Sequence, residues 1–194
     1  MFCAMGCFPI LQIYNMRQFL SLSVILVLLA SCSISSEIRH VQVKNKFSLY
    51  IPTFLSPTNE LNDVASLQYA SGEKELYIIV IDEDKASIVQ VSEDNELNDI
   101  YQPTLDGFTQ LMLDNYCESV DIDRISDVSN ISFNGLDARW VTIEGAVDGV
   151  SVFLEIAYIE GNSSYYQLMT WTLLEKKEEF SEQMKVMINS FSEL

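Results

Sequence analysis

The chain has 194 residues, enough for one domain and a short targeting segment, and 48% of them are hydrophobic, with ten Phe, nine Tyr and two Trp to fill a core. That composition excludes intrinsic disorder. The formal net charge is −17; all 28 acidic residues but only ten of the 11 basic ones follow Cys32, so the portion after it carries −18. Such a surface repels nucleic acid and anionic lipid head groups, which argues against a nucleic-acid binder.

In chain order, the first 15 residues, MFCAMGCFPILQIYN, carry no charge, and Met16-Arg17 forms a natural start for the apolar run behind it. That run, residues 19–29, reads FLSLSVILVLL, too short to span a bilayer as a helix but of the length found in export signals. It ends in Leu29-Ala30-Ser31-Cys32, which resembles the lipobox of bacterial lipoproteins. The resemblance implies a signal peptide over residues 1–31, cleavage before Cys32, and a diacylglyceryl group on its thiol, usually with acylation of the new amino terminus. Ser33 stands where an aspartate would retain some lipoproteins at the inner membrane, which favours the outer membrane of the cell envelope. Residues 32–45 then read as a polar tether. More than one acyl chain anchors stably, so the expected membrane contact is the lipid itself.

The domain is expected over residues 46–194. Phe47-Ser-Leu-Tyr-Ile51 alternates and stops at Pro52, as a strand does. Residues 65–69 and 76–81 form a predicted hairpin across Ser71-Gly72-Glu73-Lys74; the second strand, LYIIVI, is apolar on both sides and belongs in the middle of a sheet. After a polar stretch, Leu105, Phe108, Met112 and Tyr116 recur at helical spacing behind Pro103-Thr104, with Asp106 placed to complement the helix dipole. An acidic loop holds Asp121, Asp123 and Asp127. Residues 131–133 turn through Asn134-Gly135 into residues 138–143, a second turn spans residues 145–149, and strands over 150–158 and 165–173 are joined across Gly161-Asn162-Ser163. Phe180, Met184, Met187, Ile188 and Phe191 fall on one stripe of a closing helix over residues 175–191.

Strands, helix, antiparallel strands and helix make an α+β layout, an antiparallel sheet packed with helices. The opening Phe47-Ser-Leu-Tyr-Ile-Pro52, the mid-chain helix, Asn134-Gly135-Leu136-Asp137-Ala138 leading into long hairpin strands, and the closing Ile188-Asn189-Ser190-Phe191 resemble the Mog1/PsbP-like superfamily. The resemblance implies an α/β/α sandwich. It also implies a non-enzymatic binding or assembly role, since relatives include photosystem II extrinsic proteins, a Ran-binding protein and bacterial lipoproteins. It transfers no partner-binding residue to this chain.

Candidate chemistry is sparse. His40, the single histidine, falls in the tether, so a His-based triad or a multi-histidine zinc site is not expected in the domain. Cys117 is the one domain cysteine and reads as a helix-face residue; Ser71 and Lys74 match a bare Ser-x-x-Lys spacing inside a turn instead of at a helix start. No nucleotide, flavin or other cofactor motif occurs. Clustered carboxylates at 82–84, at 93–99 and at Asp121, Asp123 and Asp127 offer oxygens for calcium, although none has EF-hand spacing and solvated loop charge is the better account of them. The expectation is a lipid-anchored domain with a protein partner. A small-ligand or calcium binder and a carboxylate-dependent hydrolase are the alternatives.

Overall fold

Eleven strands and three α-helices are formed by the described residues, 37–95 and 100–194, of the computed structural model. The segment read from the sequence as an export signal and Cys32 lie outside them, as do Glu96 and Asp99. Strands β1 (Ile38–Val43), β2 (Phe47–Pro52) and β11 (Ser192–Glu193) make a small antiparallel sheet in the order β1-β2-β11. The main sheet takes β3 (Ser56–Pro57), β4 (Leu67–Ser71), β5 (Leu76–Asp84), β10 (Ser164–Leu173), β9 (Val150–Glu160), β8 (Leu136–Val147) and β6 (Asp121–Ile125) in that order. Strand β7 (Ser129–Phe133) pairs with the first half of β8, and β6 with the second half. Every pairing is antiparallel.

Alternation along the central strands sorts two cores. From β9, Phe153, Ala157 and Ile159 point to one face, and Val152, Leu154, Ile156 and Tyr158 to the other. The first face is closed by α3 (Lys177–Asn189) and by β2, with Phe47, Leu49, Phe180, Met184 and Phe191 among its buried residues. The second face carries α2 (Leu105–Ser119), which buries Leu105 and Phe108, and Ile88 of α1 (Lys85–Asp94) packs there as well. The result is the α/β/α sandwich expected, with β5 between β4 and β10 at the centre.

Local chemistry explains several turns. Asn134 (φ 52°) and Gly135 (φ 81°) take the left-handed conformations that the β7–β8 hairpin needs. The Asn134 amide also donates to the Phe191 carbonyl at 2.6 Å, tying the end of α3 to that turn. Thr104 caps α2 by accepting from the Gly107 N–H at 3.2 Å, and Asp84 caps α1 by accepting from the Ser87 N–H at 2.9 Å.

Three sequence expectations need correction. The segment read as a tether through residue 45 carries β1, hydrogen-bonded to β2 from Ile38↔Pro52 to Val43↔Phe47, so residues 38–43 belong to the folded domain. Polar Arg39, His40 and Gln42 hide the strand because it lies at a sheet edge with one face exposed. Gly145 and Ala146, read as turn, lie within β8; a Cβ on Gly145 would sit 2.4 Å from the Asp121 carbonyl, so glycine lets β6 approach. The acidic loop is mostly β6, with a register shift between Ile122 and Arg124.

Candidate functional site: an apolar groove with an acidic rim

Helix α2 does not reach the whole of its sheet face. Beyond it, β5, β10, β9 and the end of β8 leave an open groove of about 340 Å³. Its floor is Ile79, Val152, Leu154 and Met169, residues that the strand period aims at this face and that α2 would otherwise cover. Tyr77 and Trp171, paired across β5 and β10, stack with centroids 5.2 Å apart at 11° between planes and form one wall. The opposite side is Val147 and Val150, 40% and 50% exposed, at the mouth of the β8–β9 turn.

The groove's polar groups lie on its rim. Tyr77 donates to a Glu75 carboxylate oxygen at 2.5 Å, and Glu75 is held there at φ 57°, a conformation uncommon for a side chain of its kind. Burial, then the hydrogen bond to Glu75 and its charge, push the Tyr77 phenol up to about 12. Burial also pushes Tyr116, at the α2 end, up to about 12, so both phenols stay protonated at neutral pH. Asp148 occupies the turn between Val147 and Val150, and Asp121 pairs with Ala146 next to it. The groove thus combines an apolar floor, an aromatic wall and the Glu75 carboxylate at its edge, a chemistry complementary to an apolar body carrying positive charge. A cation can also sit over the Tyr77–Trp171 pair.

The carboxylates singled out from the sequence do not converge. Asp121 and Asp123 point from an exposed edge strand, Asp127 lies in the following link, and among the described residues no group of three His, Cys, Asp or Glu is placed to hold a metal ion. Asp82 pairs with Lys46 at 2.7 Å, and Asp84 is spent on capping α1. Asp106 and Asp114 share a hollow of about 250 Å³, but Asp106 pairs with Arg139 at 2.5 Å and Asp114 accepts from the Tyr101 hydroxyl at 3.0 Å. His40 of β1 meets the Tyr50 ring of β2 at a tilt of 49°, Cys117 is exposed on α2, and the Lys74 ammonium lies over the Phe54 ring instead of on Ser71.

One carboxylate that the sequence does not single out is unusual. Glu155 of β9 is 1% exposed beneath α3, and its Oε2 has no hydrogen-bond partner among the described residues. Burial pushes it up to about 7, with Lys185 and Lys177 drawing it down and Glu182 pushing it further up. Alternation along β9 predicts which face it occupies, since Phe153 and Ala157 flank it on the α3 side. Sealed as it is, it meets no substrate.

No family model matches the chain, and no curated protein matches it by sequence. Solved structures do match. Cyanobacterial PsbP (CyanoP) of Synechocystis superposes with a TM-score of 0.51 at 9% identity, covering 86% of this chain and 99% of that one. A Pseudomonas aeruginosa protein of unknown function, described as a putative regulator, gives 0.49 at 11% identity over 80% and 96%. LpqN of Mycobacterium tuberculosis, involved in cell envelope biogenesis, gives 0.47 at 13% identity over 81% and 92%. The domain has the PsbP-like fold.

Proposed function

We propose that this is a lipid-anchored, non-enzymatic exported domain that holds a basic, apolar segment of another exported protein in the groove beside α2. The observation that carries the reading is the apolar groove itself, walled by Tyr77 and Trp171 and edged by Glu75. A concave, mainly apolar groove with a few polar groups at its edge is the usual form of a binding site. The negative rim selects for positive charge and slows the approach of acidic chains. Anchoring rests on the lipobox ending in Cys32.

A photo-crosslinking residue in place of Val150, in the full chain in cells, tests the groove. Discrete adducts to exported proteins are expected, absent from a control at Val128 and lost with Trp171→Ala. Identical adducts at both positions, or none, would overturn the reading. Anchoring is tested by fractionation: Cys32→Ser is expected in the soluble envelope fraction, and unchanged membrane association would sink it. The groove's volume also lies within the small-ligand range, which favours an amphiphilic cation as the second reading. Quenching of Trp171 fluorescence by such a cation, without protein adducts, would select it.

A further inference from the structure

We propose that the outer face of the β1-β2-β11 sheet rests on the lipid surface, so that the anchor sets the domain's orientation as well as its location. The inference builds on anchoring through Cys32. Only residues 33–37 separate Cys32 from Ile38, the first residue of β1, and so short a link spans about 20 Å at full extension. The start of β1 is therefore confined close to the bilayer, and the sheet face it opens is the first protein surface the lipid can meet.

That face differs from the rest of the molecule in charge. Not one of the 28 acidic residues lies in residues 38–59, whereas Arg39, His40, Lys44 and Lys46 do; exposed Glu37 stands just before β1, and Glu193 of β11 is engaged by the Asn162 N–H at 2.9 Å and the Tyr166 hydroxyl at 3.0 Å. Arg39 turns inward, donating to the Leu55 carbonyl and lying over the Tyr69 ring, and Lys46 pairs with Asp82. Lys44 remains exposed at the β1–β2 turn. Val41 and Val43 pack inward, so β1 presents Ile38, His40 and Gln42 outward. Ile38 is 52% exposed, and His40 is matched by Tyr50, 45% exposed, at 5.0 Å between ring centroids. An apolar residue at the anchored end, a tyrosine in the middle and an exposed lysine at the far end suit a lipid head-group layer. Tyrosine favours that depth, and lysine gains from anionic lipid within a Debye length. The strongly negative remainder is held away from the bilayer by the same arrangement.

The test uses the full lipidated chain in vesicles of phosphatidylethanolamine and phosphatidylglycerol, with Cys117→Ser and an environment-sensitive fluorophore on Gln42→Cys. A second preparation carries the fluorophore on Val128→Cys, on the opposite side of the main sheet. Spin-labelled lipid is expected to quench the probe at 42 and leave that at 128 bright, with iodide in water doing the reverse. Lys44→Glu, on an exposed turn, is expected to shift the docked-to-undocked ratio at least about fivefold toward undocked. A probe at 42 as open to iodide as that at 128 would overturn the inference. So would one shielded from iodide yet untouched by the lipid quencher, which would place a protein there instead. If the unsubstituted chain does not float with the vesicles, anchoring itself fails; if it floats while 42 stays wet, only the docking does.

Discussion

The two faces of the main sheet are built from the same strands and finished differently. On the α3 side, Phe47, Tyr166 and Phe191 interlock, with Phe47 and Phe191 stacked at 5.2 Å, and helix, small sheet and the Asn134 amide close every margin. On the other side α2 covers Ile143, Ile156 and Tyr158 and stops, leaving Tyr77, Trp171 and Leu154 around a groove. Sheet alternation alone cannot leave one face open, because both faces carry buried apolar side chains. The difference lies in which helix is laid across each face, and it separates a closed face from one that keeps a groove.

The sharpest way to break that division is to truncate one aromatic on each face. Phe191→Ala is expected to destabilise the domain by about 3–5 kcal/mol in urea unfolding, as buried aromatics do. Trp171→Ala, half-buried on the groove wall, is expected to lose only about 1–2 kcal/mol while abolishing the Val150 adducts. Equal losses from both would erase the distinction.

Next in size is the buried carboxylate on the closed face. Glu155 stands higher in the folded domain than in the unfolded chain, so the folded state binds the extra proton between about pH 7 and the ordinary carboxylate range. Stability is therefore expected to rise as pH falls from 8 to 5, by up to about 3 kcal/mol. Glu155→Gln is expected to flatten that profile and raise stability at pH 8. Glu144 acts in the opposite sense: its hydrogen bond to Lys177 holds it below the usual range, and its contribution is lost only in stronger acid. A thermal melting series over pH 5–8 that leaves the slope intact in Glu155→Gln would assign the slope elsewhere. The smallest effect belongs to the α2 cap, where Thr104→Ala is expected to cost about 1 kcal/mol in the same unfolding assay.

Local chemistry made much of this fold legible. Asn134-Gly135 announces its hairpin, LYIIVI announces a strand covered on both sides, and the stripe from Phe180 to Phe191 announces the closed face. Helix α1 escapes because Ile88, Val89 and Val91 favour strands and it has no clear apolar stripe; what secures it is the Asp84 cap. Strands β1 and β6 escape because edge strands with an exposed face tolerate Arg, His and Asp. The groove could not be read at all. Its walls come from residues 75–79, 116, 147–154 and 169–173, which only the β5-β10-β9-β8 order brings together, and its emptiness depends on where α2 stops.

The pairing of β11 with β2 bears on the order in which the domain closes. Ser192 lies against Ser48, the Leu194 N–H bonds the Lys46 carbonyl, and Phe191 fills the space beside Phe47. Contacts of such sequence separation form late in folding. Until residues 177–193 have been made, the α3 face has neither its helix nor its closing strand, and Phe47 and Tyr166 lack Phe191. The last residues of the domain thus complete its α3 face, locking against the strand that stands near its start.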